Sequence, residues 1–187
     1  MLRTGEYPLT AVTATYGSMP HWTRRALSPI PAYRRIDEDE YYPPMNMLVA
    51  ALVFVPLLTV SMAHLMWSFG LTWPIRDEKL LAQTVVGTQG VERMPPRWAS
   101  FGVSLLTFAA GILALALADH TSGGLALTLS ALPAAAIFIG RGALGYTARW
   151  SELTPEPNFR LSDRRIYSPL CLAIGIGFLI LFLMRLL

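Results

Sequence analysis

Residues 47–69 read MLVAALVFVPLLTVSMAHLMWSF, 23 positions with His64 as the sole ionisable side chain. Coiled as an α-helix at about 1.5 Å per residue, the segment reaches roughly 34 Å, and the hydrocarbon core of a bilayer is about 30 Å thick. Pro56 lies inside it, and a spanning helix tolerates a proline where neighbours satisfy the freed backbone. Ser61-Met62-Ala63 offers a small-residue cleavage pattern, so a removed leader is the competing reading. The apolar run is longer than the roughly 7–15 residues of a leader core. The acidic residues Asp37, Glu38, Asp39 and Glu40 also stand just before it, with no base nearer than Arg35. An uncleaved membrane helix is the expectation.

Three more stretches of this kind follow, at 99–118, 124–140 (with Pro133 inside) and 168–187, the last broken only by Arg185. The expected fold is therefore an all-α integral membrane protein with four transmembrane helices in an antiparallel bundle. Composition agrees: 53% of the 187 residues are hydrophobic and 14% charged, against about 25% charged in a soluble domain. The turn Asp119-His120-Thr121-Ser122-Gly123 is short enough to set the second and third spans side by side. In lipid, helices associate through close-packed small residues. Candidate stripes are Ser100 with Ser104, then Ala110, Ala114 and Ala118 on the second span. The third offers Ala126, Ser130 and Ala134, and the fourth Cys171 with Gly175 and Ala173 with Gly177.

Residues 1–46 form a polar tail punctuated by Pro8, Pro20, Pro29, Pro31, Pro43 and Pro44. No helical or strand period persists in it, apart from a short helix expected around 22–27. An early start, with the native chain beginning at Met45 or Met47, is the other reading of this tail.

Charge sets the orientation. Loops 70–98 and 141–167 lie on one face and hold nine Lys or Arg residues, whereas the opposite face has Arg34, Arg35 and Arg185. Basic loops stay inside, so both loops are expected to be cytoplasmic, in a cell (inner) membrane. Trp67, Trp73, Trp98 and Trp150 flank the same loops, where an indole suits the headgroup level. The net charge of +3 is thereby explained by topology, and no nucleic-acid partner is expected. The expected partner is the lipid bilayer.

Few residues suggest chemistry. One cysteine, Cys171, forms no internal disulfide or two-thiol relay. No cluster with zinc-ligand spacing exists, and His64 and His120 sit at opposite membrane faces, which excludes a bis-histidine haem. No phosphate loop, nucleophile elbow, HExxH or carboxylate pair is present. No catalytic residue, cofactor or metal is assigned. An ionisable group within a span is by default a functional candidate, which singles out His64, with Trp67 on the same helical side. The plain structural alternative is an interfacial histidine bonded to a carbonyl. Around loop three stand Arg141, Asp163, Arg164, Arg165, Tyr167 and Cys171. There Asp163 is expected to pair with Arg141 or Arg164, and the sharper reading is an anion-binding patch.

These residues carry a family resemblance. Ala63-His64-Leu65-Met66-Trp67-Ser68-Phe69-Gly70 resembles the histidine–aromatic–glycine signature that ends the first helix of a bacterial four-helix membrane family filed as domain of unknown function 3995. The segment 163–172, with Asp163 ahead of Tyr167-Ser168-Pro169-Leu170-Cys171, is similar to its second signature. Arg141 with Gly142 and Gly145 is similar to its element closing the third helix. The resemblance covers 47–187 and marks His64, Trp67, Arg141, Asp163 and Tyr167; it implies no activity.

Three functions are compatible with this sequence. The first, which is the expected role, is a structural or accessory bundle, as a homo-oligomer or a subunit of a membrane complex. The second is a small-molecule or lipid binding or transport protein, with His64, Arg141 and Asp163 lining a polar site at the cytoplasmic face. The third is a membrane enzyme with His64 as acid or base. A shared site requires His64 to face away from lipid and to lie within about 10 Å of Arg141.

Overall fold

The computed structural model describes residues 45–119 and 123–186. Residues 1–44 of the tail, including the helix expected at 22–27, and His120 lie outside them. Among the described residues, four helices are long and apolar enough to cross a membrane. They are α1 (Met45–Ser68), α3 (Arg97–Ala118), α4 (Gly124–Leu144) and a last span built from α6 (Pro157–Ser162), a π-helical turn (Asp163–Tyr167) and α7 (Ser168–Leu186). Two shorter helices, α2 (Glu78–Val85) and α5 (Ala148–Leu153), lie in the loops. Outward side chains on the spans are themselves apolar, for instance Leu52, Leu106 and Ile137. A helix apolar all round suits lipid, not water.

Helix limits differ from those expected wherever a polar group is satisfied inside the fold. The first span already takes in Met45 and Asn46, ahead of the expected start at 47, and there Asn46 is buried with its amide donating to the Ala118 carbonyl. The third runs past Arg141 to Leu144, since that charge meets Asp163 at 2.7 Å. The last is helical from Pro157 onward, where Pro157 occupies the first turn without losing a needed N–H.

One core joins all four spans: Ala50, Val53 and Leu57 of α1, Ala114, Leu117 and Ala118 of α3, Ala131 and Ala135 of α4, and Ile174, Phe178 and Leu181 of α7. The close pairs are α1 with α3 and α4 with α7, and α7 also meets α1. The expectation that the 119–123 turn makes α3 and α4 close neighbours needs correction, because their mutual packing is slight. Close approach follows small side chains. Gly111 lies against Phe54 and Leu57, and Ser61 Oγ sits 3.1 Å from Ser104 Oγ and 3.0 Å from the Ser104 carbonyl. Gly175 faces Ile139 and Ala135 of α4, whereas Gly177 faces Val53 of α1. Where α3 ends near α4, Arg185 lies at the junction. Its Nε donates to Thr128 Oγ1 at 2.9 Å, and Nη1 donates to the Ala116, Leu117 and Asp119 carbonyls. It thus caps carbonyls that the end of a helix leaves unpaired.

The stripe on the third span is also shifted. Thr128, Ala131, Ala135 and Gly142 are buried, whereas Ala126 is exposed. Spacing alone could not choose between two offset alanine rows, and the row facing Gly175 is the one used. Ala173 is exposed while Gly177 is buried.

The two long loops dock on each other at one end of the spans. Tyr167 Oη donates to the Thr84 carbonyl at 3.3 Å, the Glu156 amide to the Gly87 carbonyl at 3.2 Å, and the Gly90 amide to Glu156 Oε2 at 3.2 Å. A Cβ on Gly87 would overlap Thr154. Helix α2 thus packs on α6 and roofs the space between the helix ends.

Candidate functional site

The site begins with Asp163, placed by the π-helical turn at the head of the last span. Its side chain is 2% exposed. A carboxylate that deep in protein needs partners, and three converge on it. Arg141 Nη2 donates to Oδ1 at 2.7 Å, Ser168 Oγ to Oδ1 at 3.1 Å and Trp150 Nε1 to Oδ2 at 2.9 Å. Of the two arginines that the sequence offered, Asp163 takes Arg141, and Arg164 turns to Ser151 Oγ at 3.2 Å. The Arg141 guanidinium also lies over the Trp150 ring, 4.7 Å from its centroid, so the ring fixes its plane. Gly145 makes room for the cluster: a Cβ there would overlap Ser168 Oγ and approach Asp163 Oδ2 to 2.9 Å.

Beside this cluster is a cavity of about 370 Å³. From α1 it is walled by Thr59, Val60, Ala63, His64 and Trp67, and from α3 by Ser100. Arg141 comes from α4, Phe159 from α6, Tyr167 from the π-helical turn, and Leu170 and Cys171 from α7. Loop one covers it with Val85, Val86, Met94 and Pro95. The lining is mainly apolar. Two of its side-chain atoms are buried without a protein hydrogen-bond partner: His64 Nδ1 and Arg141 Nη1. The His64 ring is set edge-on to Trp67, with centroids 4.6 Å apart, and Trp67 is anchored by Nε1 donating to the Trp73 carbonyl at 2.7 Å.

Two further hollows adjoin. One of about 350 Å³ shares Thr59 and Ala63 with the main cavity and is otherwise walled by Leu58, Met62, Met66 and Trp73. The other, of about 260 Å³ and more polar, shares Trp67, Met94 and Pro95 and reaches Glu78 and Arg97. Among the described residues no three His, Cys, Asp or Glu side chains gather closely enough to hold a metal ion.

Of the five residues singled out from sequence, four line the cavity: His64, Trp67, Arg141 and Tyr167. Asp163 stands behind Arg141, bonded to it. Ser168 and Gly145 entered the sequence reading only as parts of the family-like signatures, without a role, and Trp150 as the third donor to Asp163 and the roof from loop one were missed. Trp150 was assigned to the headgroup belt, yet its N–H is spent on a buried carboxylate. Trp73 and Trp98, by contrast, are exposed. The signal for Trp150 was its nearness in sequence to Arg141, which a belt reading leaves unexplained.

Among known proteins, the family model described as "Protein of unknown function (DUF3995)" matches residues 57–178. The match takes in every residue of the Asp163 cluster and of the cavity, and stops short of Arg185. No curated protein and no solved structure matches.

Proposed function

We propose that this chain, which belongs to the DUF3995 family of proteins of unknown function, is a multi-pass membrane protein that binds a small, largely apolar molecule in the cavity between His64 and Arg141. One observation carries this reading: among the described residues, the two buried side-chain polar atoms without a protein partner line the same cavity. Leaving a buried donor or acceptor unmet costs about 1–3 kcal/mol, so a fold that does so twice in one apolar hollow is arranged for a guest. The volume falls within the roughly 300–1,000 Å³ of small-molecule sites. Small side chains at Thr59 and Ala63, shared with the hollow beside α1, make a passage from the bilayer the natural route for an apolar guest.

On this reading the arginine-rich loops face the cytoplasm and the bilayer supplies the ligand. Native mass spectrometry of the full chain, extracted mildly, tests it. The wild type should carry a stoichiometric small-molecule adduct, which Ala63→Phe, filling the shared wall, should lose. A structural or accessory subunit would instead bring a second polypeptide, or a second copy of itself, with no small molecule. That result would replace the binding reading.

A further inference from the structure

We infer that the group recognised in this cavity is a neutral carbonyl on an apolar body; the inference rests on the binding reading above. Arg141 looks at first like an anion receptor. Its charge, however, is already matched by Asp163 at 2.7 Å, whose side chain is buried. A second anion brought to Nη1 would approach Asp163 through a medium that screens poorly, and the repulsion would offset much of its attraction to the guanidinium. What Arg141 presents to the cavity is therefore a directional N–H donor with little net charge behind it. Its plane is held by the Trp150 ring.

A carbonyl oxygen satisfies that donor without adding charge. His64, on a different helix, offers a second polar atom to the same guest, its ring already oriented by Trp67. Tyr167 is not available to a ligand in the same way, since its hydroxyl holds the Thr84 carbonyl. The other polar side chains in the lining are Thr59, whose hydroxyl is spent on the Val55 carbonyl at 2.9 Å, Ser100 and Cys171; the rest of the wall is aliphatic or aromatic and suits an apolar body.

Cys171 lines the cavity and is the only cysteine of the chain, so its alkylation by a maleimide reads occupancy at one place. The full chain in dodecyl maltoside, a detergent without a carbonyl, is challenged with three probes on one ring: 2-acetylnaphthalene, 2-naphthoate and 2-ethylnaphthalene. The ketone should slow alkylation at concentrations at least about tenfold below either of the others. Asp163→Asn, which leaves the arginine charge unmatched, should reverse the order of ketone and carboxylate. His64→Leu should weaken the ketone severalfold and leave 2-ethylnaphthalene unchanged, and this variant does not disturb the buried ion pair. Parity or preference for 2-naphthoate in the wild type, or for 2-ethylnaphthalene, overturns the carbonyl inference and leaves the binding reading standing. Failure of all three to protect Cys171 overturns both.

Nanodiscs separate the sources of the carbonyl. Protection of Cys171 by diester but not diether phosphatidylcholine assigns it to a lipid ester. Protection by added ketone in both assigns it to a free carbonyl compound. Equal protection by the two lipids alone shows that no carbonyl is needed and overturns the inference.

Discussion

Asp163 organises the site because three donors depend on its buried carboxylate. Removing one partner of a buried ion pair costs about 3–5 kcal/mol, because the other charge is left uncompensated. Asp163→Ala should therefore lower thermal stability in detergent by about that amount. Asp163→Asn, which keeps an acceptor oxygen, should cost distinctly less; equal losses would show that packing, not pairing, is what the residue provides. Gly145 offers a sharper check. Because its missing Cβ makes room for Ser168 Oγ and Asp163 Oδ2, Gly145→Ala should destabilise by about 1–3 kcal/mol, the usual range for overpacking. Adding Ser168→Ala should recover part of the loss, since the closest obstacle is then gone. The Arg141–Asp163 pair was within reach of the sequence, because opposite charges near two helix ends on one face are natural partners. Gly145 and Ser168 were not, because their part depends on how closely α4 and α7 approach.

At the scale of elements, the π-helical turn does what an α-helix could not. It inserts one extra residue, so the Ser168 amide bonds to the Asp163 carbonyl five residues back. Such bulges are frequent at functional sites, and this one turns Asp163 inward while Arg164, Arg165 and Ile166 remain exposed. Deleting Arg165 should restore an ordinary α-ladder and rotate everything before it by about 100° relative to α7. The expected outcome is loss of the Arg141–Asp163 pair, with a red-shifted Trp150 emission and a stability loss like that of Asp163→Ala. Arg165→Ala should change neither reading, because the side chain is exposed and only the backbone count matters. Hydropathy located every span, since it depends on composition. It could not show the bulge or the pairing of helices. The short 119–123 turn suggested adjacency of α3 and α4, yet the stronger packing follows the glycines and serines that let α1 approach α3 and α4 approach α7.

For the whole molecule, the site and the basic loops occupy the same end, so orientation decides which compartment the roof of the cavity meets. The two loops hold nine basic residues, but these are not equivalent. Arg141 is committed to Asp163 and Arg164 to Ser151, and Lys79 pairs with Glu92 at 3.1 Å. Arg149, Arg160 and Arg165 are exposed, and they can be exchanged without touching the cluster. If the positive-inside bias orients the chain, Gln at all three should produce a mixed population, because orientation follows the Lys and Arg excess in short loops. The same exchange should leave the stability of correctly inserted molecules within about 0.5 kcal/mol, as surface substitutions usually do. Gly90 sits at a turn with no atom within 4 Å of an added Cβ, so a tag inserted beside it reports the side on which loop one lies. Protection of that tag from an external protease in the wild type, lost in part of the triple-Gln population, is the expected result. Cleavage in the wild type would place the roof outside and reverse the proposed topology, while leaving the cavity and its two polar atoms as they are.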